Sequence, residues 1–225
     1  MNLKVSVLMS IKDGENYLKQ SIDSILNQSY KNLEFLICDD GSTDNSLQIC
    51  NEYSNLDNRV KIIRNNESIG LTKSLNKLID ISTGSIVARQ DADDFSDLNR
   101  ISKQFELYKK GYEIITSRAF VIGENKIKPR FSYLVPKKIM IRKKNNFIHG
   151  TLFIKKQILL DIGCYDENFY YAQDYKLFSD LLLQSYKIKT ILNPLYYVRN
   201  EGNISTTKLK EQNHFSDLVR KSQKQ

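Results

Sequence analysis

Residues 5–39, VSVLMSIKDGENYLKQSIDSILNQSYKNLEFLICD, contain the pattern that decides the fold. The apolar run 5–9 is typical of a buried strand, and a polar turn follows it. The apolar run 33–39 predicts a second strand. Between these runs, four apolar residues recur at the spacing of an amphipathic helix: Leu18, Ile22, Ile25 and Leu26. A strand, a helix and a strand joined by short turns predict two parallel strands.

The same alternation continues through about the first 100 residues. A turn rich in Ser, Thr and Asp starts a helix near residue 46, and residues 59–65 predict a third strand. Residues 70–82 predict a third helix, and residues 85–90 predict a fourth strand. The sequence therefore predicts an α/β fold, with a Rossmann-like, mostly parallel central sheet and helices on both faces.

Two acidic clusters follow strands of this predicted sheet. Asp39 and Asp40 come after the second strand, and Asp91, Asp93 and Asp94 come after the fourth. Ligands of open parallel sheets bind at the carboxyl ends of the strands, and clustered carboxylates need positive charge nearby, for which a bound cation is the obvious candidate. The alternative is that each cluster only starts a helix or forms a turn.

Composition narrows the class of protein. The 225 residues suit one large α/β domain, and no apolar stretch approaches the about 20 residues of a membrane-spanning helix, so we expect a cytoplasmic protein. With two histidines, zinc chemistry is disfavoured. The three cysteines are widely spaced in apolar sequence, and we expect buried free thiols at Cys38, Cys50 and Cys164.

Charge is distributed unevenly along the chain. Residues 1–125 carry 15 Lys and Arg against 18 Asp and Glu, whereas residues 126–225 carry 19 against 8. Residues 126–144 hold eight Lys or Arg and no acid. Such a run is often a solvated surface, but its interspersed apolar residues also suit peripheral contact with an anionic membrane, and no nucleic-acid-binding module fits the chain.

The known nucleotide and calcium motifs are missing. The chain has no G-x-G pair and no G-K-[ST], which excludes the dinucleotide fingerprint and the P-loop, and the acidic run fails the EF-hand pattern. A metal-dependent phosphohydrolase or phosphotransfer enzyme would also place carboxylates after a strand, and it remains an alternative. A non-catalytic domain that binds polyanions is a second alternative.

The order of the motifs resembles the family 2 glycosyltransferases, which are inverting enzymes with a GT-A fold that use nucleotide-activated sugars. The resemblance runs from residue 5 to about residue 200, through the segments NNESIGLTKSLNKLI, GSIVARQDADDFSDLNRI and FIHGTLFIKKQILLDIGCYDENFYYAQDYKLFSDLL. In such enzymes the acidic pair after the second strand, here Asp39 and Asp40, binds the uracil and ribose. Gly70 and Lys73 would border the nucleotide, and Arg89 would lie along the same wall.

The resemblance also implies the chemistry. The D-x-D motif is Asp91-Ala92-Asp93, in which Asp91 touches the ribose and both carboxylates serve a Mn²⁺ or Mg²⁺ ion, with Asp93 the direct ligand. Asp174 matches the catalytic base. On position alone, Asp174 is as well explained as a helix N-cap. The family has Glu-Asp at this point, whereas this chain has Gln173-Asp174.

Three further positions bear on the resemblance. The C-terminal His of many relatives is missing, and Arg199 is a candidate to hold the diphosphate in its place. His149 lies in the region that lines the acceptor side in relatives, but we favour a structural role for it. The chain lacks the Q-x-x-R-W motif of processive synthases, so we expect a single sugar addition.

The resemblance implies one GT-A domain over 1–225. We assign 1–110 to the nucleotide-sugar-binding half, 111–205 to the acceptor-binding half and 206–225 to a polar C-terminal helix or tail. The expected activity moves one sugar from a nucleotide-sugar, with UDP-sugar the expected donor, to a hydroxyl of a glycan or lipid-linked glycan in surface polysaccharide biosynthesis.

Overall fold

The computed structural model describes residues 3–130, 135–199 and 208–223. Its nine strands form one sheet. The strands are β1 Val5–Ile11, β2 Leu33–Asp39, β3 Val60–Arg64, β4 Ile86–Arg89, β5 Phe95–Ser96, β6 Ile114–Val121, β7 Lys126–Lys128, β8 Phe153–Lys155 and β9 Ile188–Val198. The helices are α1 Glu15–Leu26, α2 Ser46–Leu56, α3 Leu71–Ile81, α4 Arg100–Lys109, α5 Lys137–Met140, α6 Lys156–Asp161, α7 Gln173–Leu183 and α8 Leu209–Ser222.

The strand order is β3-β2-β1-β4-β8-β6-β9-β5, and β7 pairs with β6. Strands β1 to β4 are parallel to one another, as the alternation predicts. Strand β8 runs antiparallel between β4 and β6, β6 and β9 are parallel, and β5 is antiparallel to β9. The prediction of a mostly parallel α/β sheet is confirmed, and the antiparallel strands belong to the second half of the chain and to the short β5.

The sheet separates two apolar cores. Successive side chains of a strand point to opposite faces, so Val7 and Met9 of β1 pack with α1, α2 and α4 on one face. Leu8 packs on the other face with α3, α6 and α7. The amphipathic spacing of α1 fits this arrangement, since Leu18, Ile22 and Ile25 are fully buried. Helices therefore cover both faces, as predicted.

Helix α8 packs against α7. Its Val219 is fully buried, and Gln223, just after the helix, donates to the carbonyl of Ile141 at 3.3 Å and to the Ser179 hydroxyl at 2.9 Å. The described part of the predicted C-terminal helix or tail is thus mainly a helix. Positions 200–207, 224 and 225, and positions 131–134 of the basic run, lie outside the described residues.

Other expectations concern membranes and cysteines. Within the three described ranges, every helix is too short or too polar to cross a membrane. The three cysteines are free: Cys38 and Cys50 are buried, and Cys164 is partly exposed.

A buried carboxylate ties the amino ends of the strands together, at the edge of the sheet away from the acidic clusters. Glu34 Oε1 accepts hydrogen bonds from the Ser6 hydroxyl at 2.6 Å and from the backbone and hydroxyl of Thr83 at 2.7 and 2.9 Å. Glu34 Oε2 lies 3.1 Å from Lys4 Nζ and 3.3 Å from Lys61 Nζ. Burial alone would raise the pKa of Glu34, but these donors outweigh it and lower the pKa to about 2.

We expect Glu34→Gln to lower the free energy of unfolding at pH 7 by about 1–3 kcal/mol, because a charged acceptor of several hydrogen bonds is lost. The folded pKa of about 2 lies below the ordinary value of 4.5, so this stabilisation is present above pH 4.5 and disappears as the pH falls toward 2. Urea unfolding of both proteins between pH 3 and 7 measures it. A difference that stays constant over this range would contradict the assignment.

Candidate active site

The acidic loop after β4 is anchored by a buried arginine. Arg89 is 2% exposed, and its Nη1 donates to the carbonyl of Leu8 in the neighbouring strand at 3.1 Å. Its Nη2 lies 2.7 Å from Asp91 Oδ1. The positive charge of Arg89 therefore compensates part of the negative charge of the acidic cluster. Arg89 lies beside the Asp91 carboxylate, as expected for a residue that precedes the D-x-D motif on the same strand.

A second arginine holds the other side of the loop. The backbone N–H of Arg199, just after β9, donates to Asp94 Oδ1 at 2.8 Å, and its guanidinium donates to the Asp93 carbonyl and to Gln20 Oε1. The guanidinium also lies over the Tyr17 ring, 4.2 Å from its centroid. Arg199 thus braces the acidic loop against α1, and any contact with a diphosphate would be additional to this role.

A buried polar layer supports the loop from below. The Tyr196 hydroxyl accepts a hydrogen bond from the backbone N–H of Asp91 at 2.9 Å and is hydrogen-bonded to the Asp94 carboxylate. The fully buried Arg100 lies over the Tyr196 ring at 5.5 Å. A Cβ at Gly150 would come within 2.2 Å of the same hydroxyl, so no side chain fits there. Sequence reasoning missed this layer, because its members have no acidic or motif signal.

Burial and the neighbouring carboxylates make Asp93 and Asp94 harder to ionise. Burial and the charge of Asp91 raise the pKa of Asp93 to about 6. Burial, Asp91 and Asp93 raise the pKa of Asp94 to about 9, so Asp94 is neutral at pH 7. The repulsion between the carboxylates of Asp91 and Asp93 is what a hard divalent cation with oxygen ligands would relieve.

The carboxylate oxygens of Asp91 and Asp93 suit Mn²⁺ or Mg²⁺, both of which prefer oxygen ligands. Arg89 Nη2 lies 2.7 Å from Oδ1 of Asp91 and already compensates part of its charge. The described residues contain no group of three or more His, Cys, Asp or Glu placed to hold a metal ion. An ion here would take one or two carboxylates, with oxygen ligands from outside the protein completing its coordination.

The carboxylate of Asp40 holds the loop between β3 and α3 through hydrogen bonds. Its carboxylate accepts five hydrogen bonds of 2.8–3.1 Å, from the side chains of Asn65, Ser68 and Ser74 and the backbone N–H groups of Ile69 and Gly70. Burial alone would raise the pKa of Asp40, but these donors lower it. The carboxylate therefore shapes the turn from β3 into α3, and the structure shows no free oxygen on it for a ligand.

Asp39 is buried but incompletely bonded. Its Oδ1 accepts the backbone N–H of Ser42 at 3.2 Å, whereas its Oδ2 is buried without a hydrogen-bond partner. Arg64 Nε, from the end of β3, lies 3.6 Å from this Oδ2. A buried acceptor without a donor is costly, so the arrangement suits a ligand that supplies an N–H.

Gly70 and Lys73 lie at the start of α3 beside this pair. Gly70 has φ of +91°, and a Cβ there would come within 2.6 Å of the Tyr170 ring, so both the conformation and the close packing require glycine. Lys73 is exposed on the first turn of α3. The structure brings Gly70 to Asp40 through a hydrogen bond and shows no contact between Lys73 and the acidic residues.

We expect Asp40→Asn to lower the free energy of unfolding by about 1–3 kcal/mol, because an amide cannot accept all five donors. The neighbouring Asp39→Asn removes one weaker bond and should cost less, which makes it the matched control. Urea unfolding of the two variants measures the difference. Equal costs would show that Asp40 does not hold the loop.

Asp174 lies in the first turn of α7. The N-cap of this helix is Ala172, so the prediction that Asp174 is only an N-cap does not describe its place. Ala172 has φ of +55°, a left-handed conformation that is strained for a residue with a Cβ. Asn145 Nδ2 donates to Asp174 Oδ2 at 2.7 Å. Burial raises the pKa of Asp174, and the charge of Asp91 raises it further.

His149 and Tyr165 connect the two halves of the site. His149 Nε2 lies 2.7 Å from the Tyr165 hydroxyl. Burial and the charge of Arg89 lower the pKa of His149 to about 3, so the ring is neutral, as a structural role requires. Burial raises the pKa of Tyr165, and the charges of Asp91 and Asp174 raise it further.

Residues 6–169 match the family described as glycosyl transferase family 2. The chain belongs to this family. A family 2 glycosyltransferase is expected to bind its donor at the carboxyl ends of the strands, where Asp39 and the acidic loop lie. Family membership favours the transferase over the phosphohydrolase and polyanion-binding alternatives.

Curated relatives support the same assignment. EpsE of Bacillus subtilis, described as a glycosyltransferase, is 38% identical over 156 residues, which are 68% of this chain and 56% of EpsE. The glycosyltransferase MJ1057 of Methanocaldococcus jannaschii is 31% identical over 94% of this chain and 76% of its own length. WfgD of Escherichia coli, a UDP-Glc:α-D-GlcNAc-diphosphoundecaprenol β-1,3-glucosyltransferase, is 29% identical over 92% of this chain and 81% of WfgD.

Solved structures show the same fold. S. aureus TarS 1–349 in complex with UDP-GlcNAc superposes with a TM-score of 0.79 at 18% identity, over 96% of this chain and 65% of TarS 1–349. The mannosyltransferase PcManGT of Pyrobaculum calidifontis, in complex with GDP-Man and Mn²⁺, superposes with a TM-score of 0.73 at 19% identity, over 90% of this chain and 59% of PcManGT. The GT-A fold predicted for this chain is confirmed.

Proposed function

We propose that the protein transfers one sugar, with inversion, from a UDP-sugar to a hydroxyl of a lipid-linked or free glycan. The observation that carries this proposal is the Oδ2 of Asp39, which is buried and accepts no hydrogen bond, with Arg64 Nε 3.6 Å away. It lies at the same edge of the sheet as the acidic loop. After burial, the charges of Asp91 in that loop and of Asp174 both raise the pKa of Tyr165. A base pocket, a diphosphate site and a general base are the three parts that a single displacement from a nucleotide-sugar needs.

Asp39 and Arg64 supply complementary groups for the base. Uracil presents a ring N–H between two carbonyl oxygens, so an accepting carboxylate and a donating guanidinium suit it. The Nε of Arg64 lies 3.6 Å from Asp39 Oδ2, and Arg64 is about half exposed, which leaves it able to donate to a carbonyl. The UDP named in the WfgD donor and bound to TarS agrees with this choice.

The acidic loop supplies the place for the diphosphate. Asp93 and Asp91 would hold a Mn²⁺ or Mg²⁺ ion, which when bound neutralises the charge that develops on the leaving diphosphate. Arg89 binds the Asp91 carboxylate and Arg199 binds the Asp93 backbone carbonyl, so both sides of the loop are fixed before donor binding.

Asp174 would remove the proton of the acceptor hydroxyl. Asn145 holds its Oδ2 through a 2.7 Å hydrogen bond, which orients the carboxylate. Its raised pKa makes it a stronger base than an exposed aspartate, and such a base contributes about 10²- to 10⁴-fold in rate. Attack from the face opposite the leaving group inverts the anomeric carbon.

The second half of the chain, which carries most of the excess positive charge, would bind the acceptor. The lipid-linked acceptor named for WfgD is anionic, and residues 126–144 would attract a diphosphate or an anionic membrane surface. In this arrangement the protein is cytoplasmic and contacts the inner face of the membrane peripherally. Surface polysaccharide biosynthesis is the role that fits such an acceptor.

Donor binding can be tested by thermal shift with UDP, GDP, CDP and dTDP. We expect UDP with Mn²⁺ to raise the Tm, because the protein then gains the binding free energy of the complex. Asp93→Ala should lose the dependence on Mn²⁺, and Asp39→Asn should weaken UDP binding by about tenfold through loss of a charge-assisted hydrogen bond. No shift with any nucleotide under any metal condition would remove the main support for the proposal.

The role of Asp174 can be tested with Asp174→Asn, which keeps the shape of the side chain. We expect the transfer rate kcat to fall by about 10²- to 10⁴-fold, because the amide cannot accept the proton. UDP binding should stay unchanged, and Gln173→Ala is the neighbouring control that should keep most of the activity. Single-turnover transfer assays measure the rate, and a wild-type rate in Asp174→Asn would disprove the assignment.

A further inference from the structure

His149 lies on a short turn that is fixed to the support of the acidic loop. Residues His149–Thr151 form a single 3₁₀ turn just before β8. Gly150 packs so closely against the Tyr196 hydroxyl that no Cβ fits between them, and the same hydroxyl accepts the backbone N–H of Asp91 at 2.9 Å. The position of His149 is therefore set by the buried layer that also sets the position of the D-x-D motif.

The segment that carries His149 also contacts the candidate base. Asn145, four residues before His149, donates to Asp174 Oδ2 at 2.7 Å. In a single displacement the leaving and attacking oxygens lie on opposite faces of the anomeric carbon, so the transferred sugar lies between the diphosphate and the base. Residues 145–150 connect the acidic loop with Asp174, and His149 lies on this stretch.

The two ring nitrogens of His149 have different surroundings. Nε2 lies 2.7 Å from the hydroxyl of Tyr165, which is 4% exposed. The His149 ring is partly exposed, and within the described ranges its Nδ1 makes no hydrogen bond. The contact with Tyr165 therefore accounts for one nitrogen and leaves the other available to a ligand.

The hydroxyl of Tyr165 decides which nitrogen of His149 carries the proton. Burial lowers the pKa of His149 to about 3 and raises the pKa of Tyr165, so both groups are neutral at pH 7. Among the residues that the structure describes, Nε2 of His149 is the single hydrogen-bond partner of this hydroxyl. A buried O–H without an acceptor is costly, so the hydroxyl donates to Nε2 and the ring proton lies on Nδ1.

We propose that His149 Nδ1–H donates to a hydroxyl oxygen of the transferred sugar while the sugar is still attached to the nucleotide. This inference rests on the proposed function and adds a residue that selects the sugar. A hydroxyl oxygen accepts from a neutral donor without a compensating charge. A sugar whose hydroxyl is missing or inverted at that carbon would leave the N–H unpaired, so His149 would discriminate between sugars.

Two amide variants of His149 separate the roles of its nitrogens. The Asn amide N–H takes about the place of Nδ1, and the Gln amide takes about that of Nε2. Isothermal titration with Mn²⁺ and without acceptor measures the affinity for UDP, UDP-glucose, UDP-galactose, UDP-GlcNAc and UDP-GalNAc. For the UDP-sugar that wild type binds most tightly, we expect His149→Gln to lose about tenfold and His149→Asn to lose less than about threefold. The affinity for UDP itself should stay unchanged in both.

Analogues of that UDP-sugar that each lack one hydroxyl identify the oxygen that His149 contacts. At one carbon, removal of the hydroxyl should cost wild type about tenfold and cost His149→Gln almost nothing, because both changes remove the same hydrogen bond. His214→Gln is the matched control: His214 is exposed on α8, and the variant should keep the wild-type affinity for every probe.

Tyr165→Phe is an independent variant that leaves His149 in place. Without the hydroxyl the ring proton distributes over both nitrogens, so a smaller fraction of the protein carries the Nδ1–H donor. We expect the affinity for the UDP-sugar to fall, but by less than in His149→Gln, with UDP affinity unchanged. A retained Tm and a retained UDP shift show that each variant is folded.

Several results would overturn the inference. Equal losses in the two amide variants, or a loss in His149→Asn alone, would show that His149 acts only through Tyr165. Unchanged UDP-sugar affinity in all variants, or wild type that binds UDP but none of the four UDP-sugars, would exclude a contact with the donor sugar. Hydroxyl deletions that cost His149→Gln as much as wild type would exclude it too. If UDP with Mn²⁺ still shifts the Tm in these cases, only the role of His149 falls, whereas the absence of any UDP shift removes the proposed function itself.

Discussion

The candidate site depends on the buried ion pair between Arg89 and Asp91. Because the guanidinium is also bonded to the carbonyl of Leu8, the pair fixes the acidic loop to the neighbouring strand and not only to its own. A buried pair of this kind is costly to break, since either partner alone would leave an unpaired charge in the protein. Arg199, just after β9, donates to the Asp94 carboxylate through its backbone N–H and to the Asp93 carbonyl through its guanidinium, so the loop is held on both sides.

Most of the first half of the fold can be predicted from the sequence, because its signals are local. The alternation of Val7 and Leu8 between faces and the helical spacing of Leu18, Ile22 and Ile25 are properties of consecutive residues. The insertion of β8 between β4 and β6 could not be predicted in this way. A strand of three residues has no measurable period, and its partners are chosen by contacts distant in sequence.

The candidate site likewise contains residues that local sequence predicts and residues whose roles depend on contacts distant in sequence. The acidic clusters are visible because carboxylates after a strand are conspicuous, and they lie at the predicted edge of the sheet. Their separate roles are not visible in the sequence: Asp39 and Asp40 are the same residue type, and only the fold of the 65–70 loop decides which one is saturated. Tyr196 and Asn145 were missed because their function follows from positions about 105 and 29 residues from their partners.

The unequal bonding of Asp39 and Asp40 has a consequence for how this site can change through evolution. A carboxylate with five protein donors is constrained by folding, so substitutions there are removed whatever the substrate. Its neighbour accepts one hydrogen bond from the protein and lies 3.6 Å from Arg64, so folding constrains it less. Under the proposed function, selection for a new nucleotide can act on Asp39 and Arg64 while the scaffold stays intact, which separates adaptation of the donor pocket from the stability of the domain.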